Sequence, residues 1–393
     1  MKRIGRISFL LLFVLFIVAA CSNNEASSKK DTNSMKTENV SDEDSKLDET
    51  IDASTNGVPQ EAVEIESYWP TEEWRKTSPK SVSMDSSLLI DMFQKIEDEE
   101  IPMEGFIVVK DGYIVAEKYG GKYSEETPHP IYSVTKSLTS ALVGIAMNQE
   151  AIKSVDDRAI NYLDEDKLTN LNKWKKELTI ESFLTMKSGL DFPEQTQKGF
   201  YESDVWKEFM GGEKPAYFIF NRSVRENPDS WNYSTGDARV VSKIVQEATG
   251  DKLSNYAQQK LFNPLGISGV EWPSDRSGTS LGGTGVLMKP RDVAKIGYLY
   301  LNDGKWADKQ ILPKGWVKES TISHGDTNGN FDGNKYGYFF WLKQVNGYDT
   351  FRGMGLYGQY MVVVPELDLV IVQTSSGMDV DPLLEKYIIP SIK

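Results

Sequence analysis

The stretch Pro130-Ile131-Tyr132-Ser133-Val134-Thr135-Lys136-Ser137 sets a serine and a lysine three residues apart where an apolar helical pattern begins, continued by Leu138, Leu142, Val143, Ile145 and Met147. Residues i and i+3 of a helix share a face, so hydroxyl and amine can point into one cleft. Pro130 ahead of the pattern puts Ser133 at the helix N-terminus, where free backbone N–H groups favour developing negative charge. A serine nucleophile needs a base beside it, and a desolvated lysine serves where histidine is lacking. Alone, a Ser-x-x-Lys spacing is weak; it recurs from Ser27 to Lys30 in a stretch with no fold signal.

Histidine is lacking here. The 393 residues include two His, His129 and His324, and a single Cys, Cys21. A zinc or iron site built from such ligands needs three or four of them, so the composition excludes one, and it excludes a disulfide within the chain. No cofactor is expected. His129 lies between two prolines four residues before Ser133, where it can line a cleft, and His324 lies in a Gly/Asn-rich loop; neither is placed as a base. With 44 Lys+Arg against 58 Asp+Glu, the net charge of −14 argues against a nucleic-acid partner.

The N-terminus accounts for the cysteine. Lys2, Arg3 and Arg6 precede an apolar run from Phe9 to Ala20, shorter than the roughly 20 residues that span a bilayer. It ends in Val18-Ala19-Ala20-Cys21, which resembles a bacterial lipobox. Residues 1–20 are therefore expected to be a cleaved lipoprotein signal peptide. Cys21 is the expected lipidation point, tying the chain to the lipid bilayer on the extracytoplasmic side of the cell membrane. Residues 22–67 hold no aromatic residue and are crowded with Ser, Asn, Asp, Glu, Lys and Thr, so 21–67 are assigned to a disordered acidic tether. A folded domain is expected over 68–393, opening at Tyr68-Trp69-Pro70.

Within it, Asp85 can cap a helix carrying Leu89, Met92, Phe93 and Ile96. Phe106–Val109 and Tyr113–Ala116 flank Asp111-Gly112 and predict a hairpin. Helices and loops follow, including Ala238 to Ala248, and strands return at Tyr336–Leu342, Gln359–Val364 and Leu369–Thr374. This order predicts an α/β fold of the α+β kind, an antiparallel sheet flanked by helices with a helical region, about 137–285, inserted.

Two further segments carry chemistry. Tyr233-Ser234-Thr235 presents a phenol ahead of a helix, where a lysine cation would lower its pKa. In Phe351-Arg352-Gly353-Met354-Gly355-Leu356-Tyr357-Gly358, the glycines allow close backbone approach. Gly355 and Leu356 are the candidates for an oxyanion-binding N–H, with the N–H of Ser133 as its other half.

These segments resemble the penicillin-recognising serine hydrolase superfamily, in its class C β-lactamase-like branch of esterases, carboxypeptidases and 6-aminohexanoate-dimer hydrolases. Leu178-Thr179-Ile180-Glu181-Ser182-Phe183-Leu184-Thr185-Met186-Lys187-Ser188-Gly189-Leu190 and Gly282-Gly283-Thr284-Gly285 extend the likeness in the family's order over most of residues 85–393. The resemblance implies a β-lactamase/transpeptidase-like fold, Ser133 as nucleophile, and acid/base work shared by Lys136 and Tyr233. Two departures stand out. Gly353-Met354-Gly355 occupies a motif that usually begins with Lys or His, and Thr235 stands where the family carries Asn, leaving Thr235 as a candidate substrate contact. Arg352 is either a substitute cation or a solvated strand arginine. The expected activity is that of an esterase or amidase on a small-molecule or peptide substrate. A β-lactamase or D-alanyl-D-alanine carboxypeptidase is the alternative, and a non-catalytic surface binding lipoprotein the second.

Gly278-Thr279-Ser280-Leu281-Gly282 imitates a nucleophile elbow, with Asp303 and His324 following, yet no buried strand precedes it. Asp326 to Asp332 imitates a calcium loop, but Phe331 and Gly337 stand where Gly and Glu are needed, which leaves a plain loop. Tyr336, Tyr338, Phe339, Phe340 and Trp341 are assigned to strand core.

Overall fold

A computed structural model describes residues 56–194, 197–327 and 334–393. The expected signal peptide, Cys21 and most of the expected tether lie outside the described residues.

Asp85 accepts a hydrogen bond from the Ser87 N–H at 3.0 Å and starts α1 (Ser86–Asp98), which buries Leu89, Met92, Phe93 and Ile96. Strands β1 (Met103–Lys110) and β2 (Tyr113–Tyr119) turn through Asp111 and Gly112. Their φ angles of 52° and 83° are those of a type I′ hairpin turn. The chain then leaves the sheet. Its main helices are α2 (Thr135–Asn148), α3 (Thr235–Thr249), which is packed on α2, and α4 (Pro290–Leu301), which returns to the sheet. The sheet resumes with β3 (Gly325–Asp326), β4 (Lys335–Tyr336), β5 (Trp341–Val345), β6 (Tyr348–Gly355), β7 (Gln359–Val364) and β8 (Leu369–Ser375).

Among the described residues these eight strands run β2-β1-β8-β7-β6-β5-β4-β3, each pair antiparallel. The first hairpin is thus joined to the last strand, with Ile107 opposite Val372. The near-continuous apolar runs of β1 and β8 follow from burial on both faces. Ile107 and Val109 join the core under α2, while Phe106 and Val108 join the one under α1 with Leu384 and Ile388.

Two strand assignments change. Tyr336–Leu342 is not one strand: the chain bends between β4 and β5, where Phe339 takes φ 61° and donates its N–H to the Leu184 carbonyl at 3.1 Å. Strand β6 is missing from the strands that the apolar pattern predicts, because its glycines lower strand propensity, although a strand position is one of the two readings of Arg352. Packing also begins ahead of Tyr68. Val58 is buried against the α1 side of the sheet, Gly57 accepts from the Glu117 N–H, and Glu61 accepts from the Ser78 N–H. Backbone pairing fixes this polar segment without aromatic residues.

Candidate active site

Ser133 lies in a single 3₁₀ turn, Tyr132–Val134, and α2 starts two residues later. It therefore stands just ahead of the helix rather than within it. Tyr132 is held at φ 44°, a conformation rare for a bulky side chain and one that surrounding structure must enforce. The turn and the first helical residues still bring Lys136 Nζ to 2.8 Å from Ser133 Oγ.

Lys136 is buried and donates to the Gly283 carbonyl at 2.8 Å and to Thr235 Oγ1 at 3.1 Å. Glycine is required at 283, since a Cβ there would meet the Thr235 methyl at 2.8 Å. Burial pushes the Lys136 amine down to about 8, against the opposing pull of the Glu194 carboxylate.

Tyr233 is buried and stacked on Trp341, with ring centroids 5.6 Å apart. Its phenol lies beside Ser133 and its ring beneath Lys136, so Ser133, Lys136 and Tyr233 do converge. Lys136 does not lower the phenol as the sequence suggests. Its Nζ sits 4.7 Å from the Tyr233 ring centroid, over the face, and burial together with the Glu194 charge holds the phenol well above its ordinary value. Tyr233 is therefore a neutral donor.

Thr235 opens α3, capped by Ser234, whose hydroxyl accepts from the Asp237 N–H at 2.9 Å. The Thr235 side chain is buried between Lys136 and Glu194, not in a substrate-facing position. Glu194 escaped the sequence analysis. It accepts from the Thr235 N–H at 2.5 Å and the Thr235 hydroxyl at 2.8 Å, with Tyr201 donating at 3.4 Å. Burial raises its pKa, and Lys136 and the two Thr235 bonds oppose the rise. The one sequence signal for it was the unexplained threonine at 235.

Gly355 closes β6 directly against the serine turn: a Cβ there would lie 2.6 Å from the Ile131 carbonyl oxygen and 3.1 Å from the Tyr132 Cβ. Leu356 and Tyr357 follow, both exposed, and Tyr357 packs edge-on to Tyr132 at 5.4 Å.

Arg352 is neither a cleft cation nor solvated. It is 1% exposed, donating to Asp381 Oδ1 at 2.5 Å and Thr350 Oγ1 at 2.8 Å. The alternation of β6 explains this, since Gly353 faces Val134 and Ser137 while its neighbour faces away. His129 is buried with Nδ1 3.2 Å from Glu104 Oε2, and His324 stacks on Tyr338; neither is paired with Ser133, Lys136 or Tyr233. Ser280 is buried and accepts from the Ser254 N–H, which removes the elbow. Most of the calcium-like loop lies outside the described residues. Among those residues no cluster of His, Cys, Asp and Glu could hold a metal, and no helix is long and apolar enough to cross a membrane.

An antiparallel sheet flanked by helices, its first hairpin paired with its last strand, is the β-lactamase/transpeptidase-like fold. The beta-lactamase family matches residues 91–388. The chain belongs to that family, a family of serine hydrolases. The 6-aminohexanoate-dimer hydrolase of Paenarthrobacter ureafaciens is 23% identical over 320 residues, covering 75% of this chain and 77% of the relative. A D-stereospecific amidohydrolase from a Streptomyces species superposes with a TM-score of 0.63 at 13% identity, over 78% of this chain and 99% of its own. EstCE1, a hydrolase with promiscuous acyltransferase activity, gives a TM-score of 0.63 at 15% identity, over 78% and 98% of the two chains. At such identities the structural likeness speaks for the fold.

Proposed function

We propose that the chain hydrolyses esters or amides through an acyl-enzyme on Ser133. Lys136 takes the serine proton as Oγ bonds to the carbonyl carbon. Tyr233, a neutral donor beside Oγ, hands a proton to the leaving alcohol or amine and is resupplied from the Lys136 ammonium. Water then repeats the attack and releases the acid. The N–H groups of Ser133 and of the Gly355-Leu356 segment receive the oxyanion. The observation that carries this reading is the buried Lys136 amine 2.8 Å from Ser133 Oγ.

Esterase or amidase activity is favoured over β-lactam or D-alanyl-D-alanine turnover, because both substrates present a carboxylate and no cation stands at Gly353-Met354-Gly355. Arg352 is committed to Asp381 instead. The similar curated protein is a 6-aminohexanoate-dimer hydrolase by name, which supports the amide side. A Cys21 lipid anchor would place this activity at the outer face of the membrane, and the support for it is the Val18-Ala19-Ala20-Cys21 sequence.

The test is labelling with a fluorophosphonate and with a fluorescent penicillin, followed by turnover of p-nitrophenyl acetate, nitrocefin and a D-Ala-D-Ala peptide. Labelling abolished in Ser133→Ala and ester turnover well above the other two are expected. No labelling by either probe refutes the serine mechanism, and fast nitrocefin hydrolysis refutes the substrate ranking. Palmitate incorporation lost in Cys21→Ala tests the anchor.

A further inference from the structure

We propose that Glu194 is a positioning residue: by accepting the Thr235 hydroxyl proton it makes that hydroxyl an acceptor toward Lys136, and so aims the lysine at Ser133. This rests on Ser133 and Lys136 acting as nucleophile and base.

An asparagine carbonyl accepts by constitution, whereas a threonine hydroxyl both donates and accepts and is free to rotate. Left alone, it could donate to the lysine lone pair and silence the base. Glu194 removes that freedom with a two-point grip, Oε2 on the Thr235 N–H at 2.5 Å and Oε1 on its hydroxyl at 2.8 Å. With its proton committed, Thr235 Oγ1 offers Lys136 only lone pairs, at 3.1 Å. The Gly283 carbonyl, at 2.8 Å, is a second obligate acceptor.

A neutral amine carries two N–H bonds and one lone pair. Both N–H bonds are taken by Thr235 and Gly283, so the lone pair faces the third neighbour, Ser133 Oγ at 2.8 Å. When Oγ bonds to the carbonyl carbon, its O–H bond breaks and the proton passes to Nζ. The resulting ammonium keeps all three partners, and the nearby carboxylate offsets its charge. The other titratable groups that the Glu194 charge raises are Tyr201, Tyr233 and Tyr336, each held up mainly by burial. All are phenols that stay neutral across the working range.

The experiment compares wild type, E194Q, T235N and the double variant T235N/E194Q for p-nitrophenyl acetate hydrolysis and fluorophosphonate labelling against pH. A glutamine replaces one of the two gripping oxygens with an NH2 donor, which cannot accept from Thr235 and breaks the two-point grip, so E194Q should lose about tenfold to a hundredfold in kcat/KM, no more than the roughly 10²–10⁴-fold a positioned base supplies. The Glu194 charge raises Lys136, so its removal should move the acidic limb to lower pH. An asparagine at 235 accepts without help, so the double variant should recover most of the T235N rate. E194Q with wild-type rate and limb, or a double variant as impaired as E194Q, overturns the proposal. If E194Q does not fold, T235S and T235V decide: serine should keep the rate and valine lose it, and equal rates overturn the proposal. Loss of labelling in wild type itself would refute the serine mechanism rather than the role of Glu194.

Discussion

At the residue scale, the site turns on a lysine whose ammonium form is disfavoured by burial. Lys136 has been pushed from 10.5 to about 8, so its ammonium form is destabilised by about 3 kcal/mol relative to a solvated lysine. A base works only when deprotonated, so kcat/KM should rise with pH through about 8 and level off above it, as a pH-rate profile would show. Because the folded pKa lies below the unfolded one, Lys136 costs stability at low pH, and that cost fades between about 8 and 10.5. Lys136→Met should abolish turnover yet raise Tm at pH 7, with the gain shrinking toward pH 10; a lower Tm at pH 7 would contradict this balance. Arg352 gives the opposite case. Arg352→Met leaves Asp381 with Lys343 alone and should cost about 2–4 kcal/mol in urea unfolding, with kcat/KM for a neutral ester unchanged. Ser133 and Lys136 were legible because their meeting is local. Glu194 was not, because its partner Thr235 lies 41 residues away and only the folded chain joins them.

At the scale of elements, the sequence exposed those whose pattern is purely apolar and hid those shaped by contact. The hairpin of β1 and β2 announces itself through Asp111-Gly112. Strand β6 does not, because glycine at 355 answers to the serine turn lying against it and not to strand propensity. For the same reason the run from Tyr336 to Leu342 looks continuous although Phe339 breaks it with a bond to Leu184. Gly355→Ala tests the contact. Its Cβ would press on the Ile131 carbonyl at 2.6 Å, a backbone atom that cannot rotate aside. The strand end must then lift from Ser133, and kcat/KM for p-nitrophenyl acetate should fall by about tenfold or more while Tm drops by a few degrees. A Gly355→Ala variant as active as wild type would remove this strand end from the oxyanion role.

At the scale of the whole molecule, the open sheet is extended by pairing an early hairpin with the last strand, and both faces are covered. Such a sheet needs every covering segment, including those whose composition does not announce burial. The segment from Asn56 to Ser67 is polar and was assigned to the tether, yet Val58 is 1% exposed and Gly57 and Glu61 accept backbone bonds from Glu117 and Ser78. Burying one valine side chain is worth about 1.5–3 kcal/mol, and each lost backbone bond costs about 1 kcal/mol more. A chain starting at Tyr68 should therefore melt several degrees below one starting at Ile51, while the serine site, on the other face of β1, keeps its labelling rate at low temperature. Equal melting curves would return residues 56–67 to the tether, and a loss of labelling in the cold would show that this outer segment also supports the site.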